Sequence, residues 1–254
     1  MAVSASTTEP ASVAATLREA WSLRRVWWFT ATARTRARFA RTLFGSFWLG
    51  LSNLLSIAVL ALVYGTVFKV QDFNHYVVYL GLGLVVWNSI AAAIGSAPNL
   101  FEHFYTLEEW AFQVQTFFQS FLLVVLVLSL FQASLIPHLL TAGWLPLVNL
   151  LLFLYWVPVL VCLLGARYRD VYQLVPIALQ LVFLLSPILY EKKNLGALSW
   201  TADLNPLYRV LSPLRHSLIE GSLLGWQDAV LLGANLLGIL GATWLLNRER
   251  RHLP

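Results

Sequence analysis

Residues 167–194 read "RYRDVYQLVPIALQLVFLLSPILYEKKN". Two arginines and an aspartate stand directly against the uncharged run Val171 to Tyr190, and a lysine pair follows at Lys192 and Lys193. An ionised side chain at the centre of a bilayer costs at least ~2.5–3.5 kcal/mol, so such a cluster belongs at a boundary. A bilayer core is crossed by about 20 apolar residues in a helix. The stretch therefore predicts a membrane-spanning helix over about 171–190, entered from a short charged turn.

The rest of the chain agrees with a lipid environment. Of its 254 residues, 59% are hydrophobic and 11% charged, and the mean hydropathy is +0.70. Soluble domains carry roughly 25% charged residues, enough to cover their surface. Five further runs match the span length, at about 43–68, 76–97, 112–136, 144–166 and 229–247, and none holds Asp, Glu, Lys or Arg. The single cysteine, Cys162, lies in an apolar run and supports neither a disulfide framework nor a thiolate metal site.

Six spans place both termini on one side, and the basic residues select it. With the termini inside, the cytoplasmic segments hold twelve arginines: 18, 24, 25, 34, 36, 38, 41, 167, 169, 248, 250 and 251. The outer segments hold five basic residues, Lys69, Lys192, Lys193, Arg209 and Arg215. This bias predicts cytoplasmic termini. The first 42 residues contain seven arginines and no continuous apolar core, unlike a secretory signal. They form an expected cytoplasmic arm (1–42) ahead of a membrane domain (43–254).

Within the arm, "TLRE" at 16–19 has the form of a capping box, with Thr16 at the N-cap and Glu19 reaching back. The following "AWSLRRVWWFTATARTRARFART" interleaves Trp21, Trp27, Trp28 and Phe29 with six arginines. That mixture predicts an amphipathic helix lying on the cytoplasmic leaflet against membrane lipids. The tryptophans and the adjoining span argue against a nucleic-acid partner.

Two other loops stand out. "PNLFEHFYTLEEW" (98–110) carries Glu102, Glu108 and Glu109 without a basic residue, suiting either a basic protein partner or a solvated helix end. Residues 191–228 are the longest outer segment, and "LNPLYRVLSPLRHSLIEGSLLG" (204–225) is interrupted by Pro206 and Pro213. Backbone of this kind is tolerated at membrane depth only behind protein or a cavity. Residues 194–225 are thus expected to form two short re-entrant helices in the outer half. The expected fold is an all-α integral membrane protein with six transmembrane helices, an amphipathic interface helix and these re-entrant helices. In the last span Ala234, Gly238 and Ala242 form a small-xxx-small series that permits close helix contact.

Several chemistries lack their residues. There is no phosphate-cradling G-x-x-x-x-G-K-[ST] loop, no H-E-x-x-H and no G-x-S-x-G. No carboxylate falls within the expected spans, which leaves no proton relay. His75, His103, His138, His216 and His252 are scattered, so no metal site is expected. Nothing points to an enzyme or to a cofactor held by this chain.

The order of motifs resembles a family. "RARFARTLFGSFWLGLSNLLSIAVLALVYGTVF" (36–68) places Arg36, Arg38, Phe39, Thr42, Gly45, Trp48, Val67 and Phe68 as in the membrane subunits of type-2 ABC exporters for polysaccharides. "YLGLGLVVW" with Gly83 and Trp87 is similar to that family's second span. Arg169–Asp170, Ser186–Pro187, Asn205–Pro206 and Arg215 match its final third. The resemblance implies the permease half of an exporter for O-antigen, capsule or teichoic-acid chains, in a bacterial cytoplasmic (inner) membrane. It implies a second copy of this chain and two copies of a separate ATPase that binds ATP and magnesium. It further implies a lipid-linked polysaccharide as substrate.

On that resemblance, Arg36, Arg38 and Arg41 are candidates to hold a lipid diphosphate, or equally phospholipid headgroups. Arg167, Arg169, Asp170, Glu108 and Glu109 are candidates for coupling to the ATPase, the Arg167–Asp170 turn serving otherwise as a positive-inside anchor. Asn205, Pro206, Tyr208, Arg209 and Arg215 are candidates for an outer gate, with Arg215 turned to protein or water. One departure concerns the family's longer cytoplasmic stretch before its third span. Here Phe104 runs straight into Tyr105 and "TLEEW", so the family's gate role for that stretch is not carried over. Two other readings are an exporter of a small lipid or drug and a non-transporting scaffold subunit for glycan assembly.

Overall fold

The computed structural model describes residues 12–98, 100 and 106–249, and the described residues are helical with no strand. The Phe104–Tyr105 departure, Glu102, His103, His252, Arg250 and Arg251 lie outside them. Helix α1 covers Val13–Ser22 and α2 Arg24–Phe39. Among the described residues, five helices are long and apolar enough to cross a membrane: α3 (Phe47–Val67), α4 (Phe73–Gly95), α5 (Thr106–Leu128), α7 (Trp144–Arg167) and α11 (Trp226–Glu249). A sixth apolar helix, α8 (Asp170–Leu185), is shorter. Short α6 (Leu135–Thr141) follows α5. After α8 come a 3₁₀ segment (Lys192–Leu198), α9 (Ser199–Leu204) and α10 (Pro206–Glu220).

Helix α4 is the centre of the bundle. It buries residues almost continuously from Tyr76 to Ile94 and contacts α3, α5, α7, α8 and α10. Gly81 admits Leu128 of α5, whose methyl would stand 2.8 Å from an added Cβ. By contrast α8 buries no residue, and α3 and α11 bury few. The small-xxx-small series of α11 meets α7: Gly238 lies against the Trp156 ring, and Ala242 is fully buried. Polar groups bind the same pair, Trp156 Nε1 donating to Asn235 Oδ1 at 2.9 Å and Asn235 Nδ2 to the Asn149 carbonyl at 3.0 Å.

Five expectations are corrected. The cap of α1 is Ser12, whose hydroxyl accepts from the Ala15 N–H at 3.2 Å. Thr16 lies inside the helix and accepts instead from Asn247 Nδ2 of α11 at 2.9 Å. The third span starts at Thr106, not 112, and ends at Leu128, the chain turning before α6. The fifth helix stops at Leu185 rather than 190, because Pro187 disfavours helical backbone at Ser186, which is extended (φ −83°, ψ 135°). Pro213 does not interrupt 204–225, since α10 continues through it and buries the ring. Pro206 sits at the first turn, where its missing N–H costs nothing. The earlier helix starts also bring Glu108, Glu109 and Asp228 into first turns, where no carboxylate was expected.

Candidate functional site

The return element α9–α10 is seated on the bend that ends α8. Leu207, Val210, Leu211, Leu214 and Leu218 are buried, the i, i+3, i+4 series of one helical face. That face meets α4, α6 and α7. Asn205 caps the helix, its Oδ1 accepting from the Leu207 N–H at 3.0 Å, while its Nδ2 donates to Ser186 Oγ at 2.6 Å. One side chain thus starts α10 and fixes it to the bend.

Arg215 completes the attachment. It is only 5% exposed, and its Nη1 donates to the Pro187 carbonyl at 2.9 Å. The guanidinium carbon lies 3.8 Å from the centroid of the Tyr79 ring. A desolvated cation over such a face gains about 2 kcal/mol. Tyr79 OH donates to the same Pro187 carbonyl at 3.0 Å, and Tyr76 OH to the Leu189 carbonyl at 2.7 Å. Gly83 opens the space, for a Cβ there would fall 2.1 Å from Arg215 Nη2. No carboxylate pairs with Arg215 among the described residues, and its Nε and Nη2 lack hydrogen-bond partners. The contacts that hold the charge are a backbone carbonyl and an aromatic face. Of the other outer candidates, Tyr208 is half-buried and Pro206 exposed. Arg209 is exposed and donates through Nε to the Asp203 carbonyl at 2.5 Å. Asp203 also pairs with Lys192 at 2.6 Å.

The inner candidates fall into two groups. Arg36, Arg38 and Arg41 are exposed at the end of α2 and beyond it, and none is ion-paired among the described residues. Arg167, Arg169 and Asp170 are exposed on the α7–α8 turn, also without an ion pair there. The turn is backed by Tyr172, whose OH donates to the Cys162 carbonyl at 3.0 Å and whose ring fills the space left by Gly165.

Glu109 is placed elsewhere than a surface patch. It is 6% exposed, ion-paired with Arg34 of α2, and accepts from Gln113 Nε2 at 2.8 Å. Arg34 also lies over the Phe112 ring at 4.4 Å. Gln115 adds a bond to Thr32 Oγ1 at 3.0 Å, and Trp27 packs edge-on to Trp110 at 5.9 Å. The arm is therefore docked on α5. Glu108, half-buried, has no ion-pair partner among the described residues.

Sequence reasoning did not single out Tyr76, Tyr79 or Arg34. The one available signal for the tyrosines was their spacing of three, which puts both on one face of α4. A helical bundle of apolar spans, an amphipathic arm docked at one end and a return element at the other describe a polytopic helical membrane protein. The ABC-2 type transporter family matches residues 28–219, well over half the chain, and the chain belongs to that family. It is thus of the membrane subunits, which generally work with ATPase partners, and not itself an ATPase. None of the curated proteins compared with the chain matches it.

Proposed function

We propose that the chain is the pore-forming permease of an ATP-driven exporter moving a lipid-linked polysaccharide out of the cytoplasm. In this reading two copies form the conduit and two copies of a separate ATPase bind ATP and magnesium. Its seat is a bacterial inner membrane, with both termini cytoplasmic, an arm over 1–42 and six crossings in 43–254. The observation that carries it is the α9–α10 return element, fixed to the Ser186–Leu189 bend by Asn205 and Arg215. A buried, charge-bearing return element suits an exit that must yield to a chain and close behind it.

The other candidates take roles in the same reading. Arg36, Arg38 and Arg41, exposed and without an ion pair among the described residues, suit charge-assisted bonds to a diphosphate at the leaflet boundary. Arg167, Arg169 and Asp170 present an exposed turn for the ATPase, and Glu108 lies at the start of α5. Glu109 acts through Arg34, holding the arm to α5. Asn205, Pro206, Tyr208, Arg209 and Arg215 form the outer gate. Purification of the tagged chain in mild detergent tests the assembly. Recovery of an ABC-type ATPase supports export, whereas recovery of a glycosyltransferase without it supports a scaffold.

A further inference from the structure

Helix α4 is buried along most of its length, yet Asn88 is exposed on it. At 1.5 Å per residue Asn88 lies about 10 Å inside the helix end at Gly95. Hydrocarbon offers an amide no partner, so a primary amide at this depth stands against protein or water. Asn88 Nδ2 donates to Asn53 Oδ1 of α3 at 2.6 Å, and Asn53 donates to Ser120 Oγ of α5 at 2.6 Å. The Asn88 side-chain Oδ1 accepts from no donor among the described residues.

On its other side α4 meets α8, with Trp87 against Phe183 at 5.4 Å between ring centroids. Helix α8 exposes two further amides, Gln173 and Gln180. They are two turns apart and so share a face. They lie about 5 and 15 Å from the start of α8 at Asp170, the span of depths in which Asn88 falls. Neither side chain makes a hydrogen bond among the described residues. Ser52 and Ser56, exposed on α3, bond back to their own helix. Among the described residues, Asn88 through its Oδ1, and Gln173 and Gln180 through their whole amides, thus keep free hydrogen-bonding capacity in the interiors of the adjoining helices α4 and α8. Asp170 stands one turn before Gln173, and Asn74 at the far end of α4.

We propose that Asn88, Gln173 and Gln180 line one wall of the conduit as an uncharged hydrogen-bonding track for the hydroxyl groups of a neutral glycan. The inference rests on the polysaccharide-export reading and names the chemistry of its path. An amide offers a donor and an acceptor, as a sugar hydroxyl does. Each such bond is weak, about fivefold in affinity, so a polymer is guided without being trapped as it would be by ion pairs.

The test uses the full complex in its native membrane, with Cys162→Ser as background. Asn88→Cys, Gln173→Cys and Gln180→Cys should react with a small charged methanethiosulfonate. Leu62→Cys is the control, 68% exposed and half a turn out of phase with Asn53 on α3, and should not react. Gln180→Leu disturbs no internal bond and should lower surface glycan about fivefold, with Gln180→Asn recovering most of it. Unreactive thiols at the three positions overturn the track, as does a disulfide between two copies of Gln180→Cys, which marks a seam. Wild-type export by Gln180→Leu, in a cell whose surface glycan depends on the chain, also overturns it. Surface glycan that survives loss of the chain instead overturns the export reading, and with it the glycan as occupant.

Discussion

Arg215 Nη1 donates to the carbonyl of Pro187 at 2.9 Å, joining the buried face of α10 to the bend that ends α8. The contact decides how the chain tolerates a guanidinium where little water reaches. A hydrogen bond from a charged group contributes about 1.5–3 kcal/mol, and the Tyr79 face adds to it. Arg215→Leu removes two orphan donors along with this bond, so the bundle should still fold and still bind the ATPase. Export of long chains should fall, or the pore should leak. Gel profiles of surface glycan length check this, and a wild-type profile would remove Arg215 from the gate.

Gly83→Ala attacks the same contact from α4. The added Cβ would fall 2.1 Å from Arg215 Nη2, and overpacking of this kind typically costs about 1–3 kcal/mol. The variant should unfold at lower temperature in detergent than the wild type and reproduce the export defect of Arg215→Leu. Because both changes act on one contact, the double variant should export no worse than Arg215→Leu alone.

The arm is fixed to α5 by an asymmetric pair, Arg34 being 43% exposed at its side chain and Glu109 8%. Arg34→Ala leaves a buried carboxylate without its cation, though Gln113 still donates to it, a loss of about 1–3 kcal/mol. Glu109→Gln leaves an arginine that water still reaches. Arg34→Ala should therefore destabilise more than Glu109→Gln, and Glu109→Gln should rescue part of the Arg34→Ala loss. Thermal unfolding of the four proteins of the cycle gives the answer.

At the α7–α8 turn, Asp170 is exposed and makes no ion pair among the described residues. Asp170→Ala should leave expression and dimerisation intact and lower glycan export. Loss of folded protein without a separable export defect would return the turn to a membrane anchor.

Much of this bundle was legible because lipid imposes a simple rule on composition. Helices α3, α4, α7 and α11 stand within a few residues of the uncharged runs that predicted them. Errors arose where a distant group offset a local signal. Glu108 and Glu109 read as facing a basic partner or as a solvated helix end. Both do lie in the first turn of α5, but Glu109 is buried rather than solvated because Arg34, from another element, neutralises it. Pro213 read as a break, but tertiary packing on both sides of it holds α10 continuous. Arg215 was expected to face protein or water and faces protein, while its acceptor was invisible in sequence. Backbone carbonyls such as that of Pro187 carry no residue signature.

The central claim is tested most directly by depleting the chain in its host cell and following one glycan in two places, the cell surface and the lipid carrier inside. Export by this permease predicts that surface polysaccharide disappears while lipid-linked polysaccharide accumulates on the cytoplasmic side. Unchanged surface polysaccharide would contradict the account, and so would its loss without internal accumulation, which would place the chain in glycan synthesis instead.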